Sequence, residues 1–155
     1  MYSLLLAIHN VIRWFALILG IAAAVLVWVG WLRKREWRTS DQKIGSYFGI
    51  AVDIQFLLGL VLYFFLSPLT QTAMHDFGTA MSVSNLRFFA LVHPFYMILA
   101  LVCAHLGSIL PRRTEDSSIK YRRAAIWFTL AVLFILLGMP WNRPLLPGLG
   151  PISSK

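Results

Sequence analysis

Five side chains able to ionise lie inside stretches that are otherwise apolar: His9, Arg13, Asp53, His93 and His105. An ionisable group in hydrocarbon is costly, so such residues face a bundle interior, with a partner or a function. Neutral imidazole suits haem iron, its second nitrogen being held by a carbonyl or carboxylate. Helix bundles hold cofactors by pointing such side chains inward from facing helices. His9 lies five residues past Leu4, where the first apolar run begins, and His93 lies five past Phe88, where the third begins. The matching count predicts that both stand at one level and serve as axial ligands of one haem b, with Arg13 and Arg87 meeting its propionates. Counted from Leu32 and Leu110 at the other ends, the two histidines differ by about 9 Å at roughly 1.5 Å per residue, some of which tilt of a long first helix absorbs. The competing readings are an imidazole reaching the headgroup region for His9 and a hydrogen bond at a kinked helix start for His93, which precedes Pro94.

His105 follows His93 by twelve residues, about 18 Å along a helix, so one haem cannot bridge them. Asp53 falls near the depth of His105 on the second run. The two are expected to meet through the bundle interior, either as a static pair or as a proton-handling site. His75 is expected at the surface. Gly45, Gly49 and Asp53 recur every fourth residue and Gly59 follows, which reads first as close helix packing. A macrocycle would need room between helices roughly 8–10 Å apart, and Ala16, Gly20 and Ala100 are the small residues placed to provide it. Met97 and Met139 read as packing.

The elements that must position these groups are membrane helices. Of 155 residues, 59% are hydrophobic and only 13% are charged, against about 25% charged in soluble domains. A formal charge of +8 on so apolar a chain points to a bilayer rather than nucleic acid, whose binders carry a basic stripe on a soluble fold. One cysteine, Cys103, excludes an intrachain disulfide and any multi-cysteine metal site. Apolar runs at 4–32, 47–66, 88–110 and 124–139 compare with the roughly 20 residues a helix needs to cross hydrocarbon; the fourth is short, and Trp127 and Trp141 would anchor it at the interfaces. The first run lacks a basic leading segment and a small-residue cleavage pattern, so it reads as a retained span rather than a signal peptide. Pro68, Pro111 and Pro140 end the second, third and fourth helices. The mixed segment 67–87 suits a short amphipathic helix on the surface.

The predicted fold is an all-α, antiparallel up-down bundle of four transmembrane helices over 1–141, followed by an irregular tail over 142–155 rich in proline and glycine. Arg33, Lys34, Arg35, Arg38 and Lys43 separate the first two spans, and Arg112, Arg113, Lys120, Arg122 and Arg123 separate the last two. Only Arg87, Arg143 and Lys155 fall on the other side. This bias places both termini outside, so the chain is expected as a multi-pass protein, in the bacterial cytoplasmic (inner) membrane if the source is a Gram-negative bacterium, with its basic loops touching anionic headgroups.

The segments HNVIRW (9–14), GLVLYFFLSPLT (59–70), LRFFALVHPFYMILA (86–100) and AHLG (104–107) resemble a family of small bacterial four-helix membrane proteins labelled cytochrome B-like or uncharacterised. The resemblance covers the first three helices. It implies a haem role for His9 and His93, with His105 a third site, and the four-histidine pattern of two-haem cytochromes b is absent. No motif for nucleotide binding, phosphoryl transfer or acyl transfer is present. The expected function is membrane electron transfer through one haem b, linked to quinol oxidation and a redox partner. The alternative is a non-catalytic subunit of a larger respiratory or photosynthetic complex, with structural histidines and other membrane subunits as partners. Nucleic acid is not an expected partner.

Overall fold

A computed structural model describes residues 1–141; the tail expected over 142–155, with Arg143 and Lys155, lies outside the described residues. Helix α1 covers Tyr2–Leu32 and α2 covers Thr39–Val61, running on through a π turn at Leu62–Leu66. Two short helices, α3 (Pro68–His75) and α4 (Phe77–Ser82), stand where one amphipathic helix was expected. Asp76 divides them, because its carboxylate accepts from the Thr79 N–H at 3.0 Å and so starts a new helix. A single turn, α5 (Ser84–Arg87), leads through a second π turn at Phe88–Val92 into α6 (His93–Ile109). A 3₁₀ turn at Leu110–Arg113 precedes α7 (Ser117–Gly138).

Four continuous helical segments, 2–32, 39–66, 84–113 and 117–138, are long and apolar enough to cross a membrane. The first and third hold 31 and 30 residues. The third is longer than its apolar run because short turns extend it at both ends, which shrinks the mismatch counted from Leu32 and Leu110. The outward faces carry large apolar side chains, among them Phe15, Ile18, Leu57, Phe65, Phe95 and Leu137, each more than half exposed. Exposed apolar surface on that scale suits hydrocarbon rather than water.

Inside, aromatic rings fill the space left by glycines. Phe48 packs on Gly20, and Phe128 packs on both Gly45 and Gly107. Gly20 is therefore taken up by the core and makes no room for a macrocycle, contrary to expectation, whereas Ala16 and Ala100 do border a cavity. The basic ends of the helices are tied together. Helix α1 stops in a Schellman turn, with Lys34 in the left-handed region at φ 49° and the Arg35 N–H on the Gly30 carbonyl at 3.0 Å. That turn brings Arg35 back to Asp41 at 2.7 Å. The buried Tyr121 hydroxyl donates to the same carboxylate at 2.6 Å and accepts from Arg35 Nε at 3.1 Å. The Tyr121 hydroxyl first, and the Asp41 charge after it, hold the Arg35 guanidinium above its ordinary pKa.

Candidate functional site: a histidine-walled cavity

A cavity of about 260 Å³ opens between α1, α2, α6 and the end of α7, and His9, Arg13, Gln55, Gly59 and His93 are in its wall. That volume lies close to the lower end of the roughly 300–1,000 Å³ typical of small-molecule sites. A smaller recess of about 70 Å³ adjoins it and is bordered again by His9, Arg13 and His93. His9 and Arg13 are one turn apart on α1 and are 9% and 6% exposed. The Arg13 guanidinium also lies 5.7 Å from the Trp14 ring centre.

The two histidines meet. Their ring centres are 6.4 Å apart, with planes inclined at 70°. His93 Nδ1 lies 2.7 Å from the Gly138 carbonyl. A carbonyl only accepts, so Nδ1 carries the proton and Nε2 keeps the lone pair. His9 Nε2 lies 3.0 Å from Gln55 Nε2. In that orientation the amide donates, and the neutral His9 proton sits on Nδ1; with the amide turned over, Nε2–H donates to Oε1 and Nδ1 holds the lone pair. In both, His9 Nδ1 is buried with no hydrogen-bond partner among the described residues, and so is the Gln55 amide atom turned away from the ring. Gly59 leaves space for this ring, since a Cβ there would lie 3.4 Å from His9 Cε1.

One π turn lines the cavity through Tyr63 and Phe64, and the other reaches the adjoining recess through Phe89. Such turns leave carbonyls outside the regular ladder and recur at functional sites. Here Tyr63 Oη donates to the Ala90 carbonyl at 2.8 Å, joining one π turn to the other. Thr70 Oγ1 donates to the Tyr63 carbonyl at 2.7 Å. His93 begins α6 directly after the second π turn.

Of the other expected site residues, Arg87 is not brought to either cavity; its guanidinium donates to the Met81 carbonyl at 2.9 Å on an exposed surface. Asp53 and His105 do meet, with Oδ1 and Nε2 2.8 Å apart. They do not meet through the bundle interior, however. Their side chains are 42% and 43% exposed, and the neighbouring Ile50, Ile54, Leu57, Val102 and Ile109 are exposed as well. The helical faces that carry Asp53 and His105 turn toward the α2–α6 surface, while Val52 and Gln55 turn toward the cavity.

Gln55 is the cavity residue to which the sequence reading gave no role. Its signal was a second polar side chain in an apolar run, one turn before Gly59. The Tyr121–Asp41–Arg35 cluster was also missed, since its members come from three separate segments. Among the described residues, no cluster of three or more His, Cys, Asp or Glu side chains is suited to a metal ion. A metal between His9 and His93 would therefore have to bring further ligands of its own.

No protein-family model matches the chain, and no curated protein and no solved structure matches it either.

Proposed function

We propose that the protein is a membrane electron carrier that holds one haem b between α1 and α6, with His9 and His93 as axial ligands. One observation carries this reading: the two rings face one ligand-sized cavity with centres 6.4 Å apart. Two imidazoles on one metal, each with a bond of about 2 Å, stand with ligating nitrogens about 4 Å apart and ring centres about 6 Å apart. The further ligands that the chain lacks would come from a porphyrin, whose iron would supply a one-electron couple. The buried, unpartnered Nδ1 of His9 is the kind of atom that needs an explanation in a folded protein, and a cofactor provides one.

The chain's own groups have distinct tasks in this reading. Gly138 and Gln55 orient the two imidazoles, as outer partners of metal-binding histidines do. Arg13 is the cation placed to meet propionates; Arg87 serves only if it leaves Met81. The apolar walls, including Ala16, Ala100 and Ile135, exclude water and so tune the potential. The bundle is read as antiparallel, with both termini outside a bacterial cytoplasmic membrane, from the basic loops that meet at one end. The resemblance to small cytochrome B-like membrane proteins implies a haem role for the same two histidines, and a quinol is the proposed electron donor.

The test is a reduced-minus-oxidised spectrum of the purified protein and of His9→Ala and His93→Ala. The expected result is a low-spin b-type signal lost in both variants while helical circular dichroism is retained. A wild-type protein without that signal, after expression with ample haem, overturns the proposal and leaves the accessory-subunit reading. A signal that survives both substitutions moves the ligands elsewhere.

A further inference from the structure

The Asp53–His105 pair occupies an unusual place. Both residues belong to membrane-length segments, 39–66 and 84–113, and Asp53 stands near the middle of its own. Yet both side chains are more than two-fifths exposed on a surface of isoleucine, leucine and valine. A static ion pair gains little by facing hydrocarbon, where charge is expensive. Two groups alone, with no third ligand among the described residues, do not make a metal site.

We propose that Asp53 and His105 form a proton-binding site inside the membrane span, supplied from the basic end along the seam between α2 and α6. The pair has the chemistry for this. Moving a proton across the 2.8 Å contact turns carboxylate and imidazolium into carboxylic acid and imidazole, and the net charge does not change. Taking up one more proton from water gives the acid with the imidazolium, and releasing it restores the neutral pair.

The seam continues from the pair to the basic end as a series of polar groups. Ser46 lies seven residues before Asp53, and Arg112 seven after His105, so both share the faces of the pair. Arg112 Nη2 donates to Ser46 Oγ at 3.1 Å, Ser46 Oγ donates to the Gln42 carbonyl at 3.0 Å, and Gln42 Nε2 donates to the Ser108 carbonyl at 3.1 Å. Ser46 and Asp53 are separated by about 10 Å along the helix, which direct contact does not span. Gly49 lies between them. It is buried, yet nothing outside its own stretch of helix comes within 4 Å of where its Cβ would be. This gap is the opposite of the close approach that small residues give at Gly20, Gly45 and Gly107, and it leaves room for water between the serine and the carboxylate.

The remaining charges lie apart from the pair. On α2 they are Asp41, held by Arg35 and Tyr121, and Lys43; Arg112 and Arg113 stand in the 3₁₀ turn after α6, at the same basic end, and His93 of α6 borders the cavity. On α1, His9 and Arg13 border the cavity. On α7, Lys120, Arg122 and Arg123, with Tyr121, belong to the first two turns. Cys103 of α6 is buried. The site therefore takes its protonation from the pair itself and from water in the seam, and it does not depend on a haem at His9 and His93.

A hydrophobic carbodiimide, which reacts from the bilayer with protonated carboxyls, tests the site in the full-length protein reconstituted in phosphatidylcholine vesicles. The expected result is label on Asp53, located by peptide mass spectrometry, faster at lower pH and lost in Asp53→Asn. An unlabelled Asp53 overturns the proposal, whether the pair stays ionised or a second copy covers it. Infrared exchange of the Asp53 carboxyl into deuterated water tests the route. Gly49→Ala, whose methyl meets nothing outside its own stretch of helix, is expected to exchange like wild type, and Gly49→Leu, which fills the gap, to lose fast exchange. Equal exchange in wild type and Gly49→Leu overturns the route. Circular dichroism checks that each variant is folded.

Discussion

Gly30→Ala tests whether the basic end of the bundle is held as the Tyr121 cluster implies. A Cβ at residue 30 would stand 2.5 Å from Tyr121 Cζ and 2.9 Å from Cδ1, and closer still to Cε1. The obstacle is a rigid ring, fully buried, with the Trp37 ring packed on it at 4.8 Å between ring centres. The ring must retreat by about 1 Å, and overpacking of this kind costs about 1–3 kcal/mol. Retreat also breaks the 2.6 Å bond to Asp41. That carboxylate is 3% exposed, and hydrogen bonds to charged groups contribute about 1.5–3 kcal/mol. Against this, replacing glycine by alanine gains about 0.4–1 kcal/mol through the unfolded chain. A net loss of about 2–5 kcal/mol follows from these ranges. Denaturation by sodium dodecyl sulfate in mixed micelles, followed by circular dichroism, measures it. Gly49→Ala is the control, because its Cβ meets nothing within 4 Å outside its own stretch of helix. In a Tyr121→Ala background the loss from Gly30→Ala should largely disappear, giving a coupling of at least about 2 kcal/mol. If Gly30→Ala behaves like Gly49→Ala, within about 0.5 kcal/mol as for a surface change, the reasoning is wrong.

At the cavity, Gly59→Ala should keep the haem signal, since its Cβ lies 3.4 Å from His9 Cε1 in ordinary contact; Gly59→Leu should displace the His9 ring and lose the signal in the same difference spectrum without loss of helix. Asp76 is held below the usual carboxylate range by the Thr79 side chain first and the Thr79 N–H second. Its folded pKa is the lower one, so its stabilisation of α4 is complete above the unfolded value and is lost as pH falls through the folded value; the protection of amides 77–80 relative to their intrinsic exchange rates should fall across that window in wild type and be low throughout in Asp76→Ala. Periplasmic reporters fused after Lys155 should be active and cytoplasmic ones inactive, and the reverse pattern would invert the membrane orientation.

The four spans were legible because hydrophobic run length follows directly from bilayer thickness, and proline marked three of the stops. Their true lengths were less so. Helix α7 begins at Ser117 rather than Ala124 because Asp116 caps it, accepting from the Ile119 N–H at 2.9 Å, and its first turns carry Lys120, Arg122 and Arg123. Counting five residues from Leu4 and from Phe88 put His9 and His93 at one level, and their rings stand 6.4 Å apart between centres. Depth alone could not assign faces, however. Asp53 and His105 have matching depth, but the helix rotation that puts Val52 and Gln55 at the cavity turns Asp53 away from it. Arg87 turns to the Met81 carbonyl rather than to the cavity. The Schellman turn at Lys34 was hidden because glycine is its usual residue.

The two π turns explain why His93 could be found by level and yet not by helical periodicity. Each residue rotates an α-helix by about 100°. The additional residue taken into the turn at Phe88–Val92 therefore breaks the rotation that would otherwise relate α5 to α6, and His93, immediately after it, takes a direction that no 3.6-residue pattern forecasts. Such a turn frees carbonyls that hydrocarbon cannot satisfy, so within a membrane it persists only where protein supplies donors. Tyr63 and Thr70 supply them, at Ala90 and at Tyr63 itself. The irregularity in one helix is thus stabilised by a hydroxyl from the irregular part of another, and the cavity lies beside the place where the two are joined. This gives the histidine pair a directed geometry that two uninterrupted helices would not provide, with the Gly138 carbonyl at the end of α7 fixing the His93 ring.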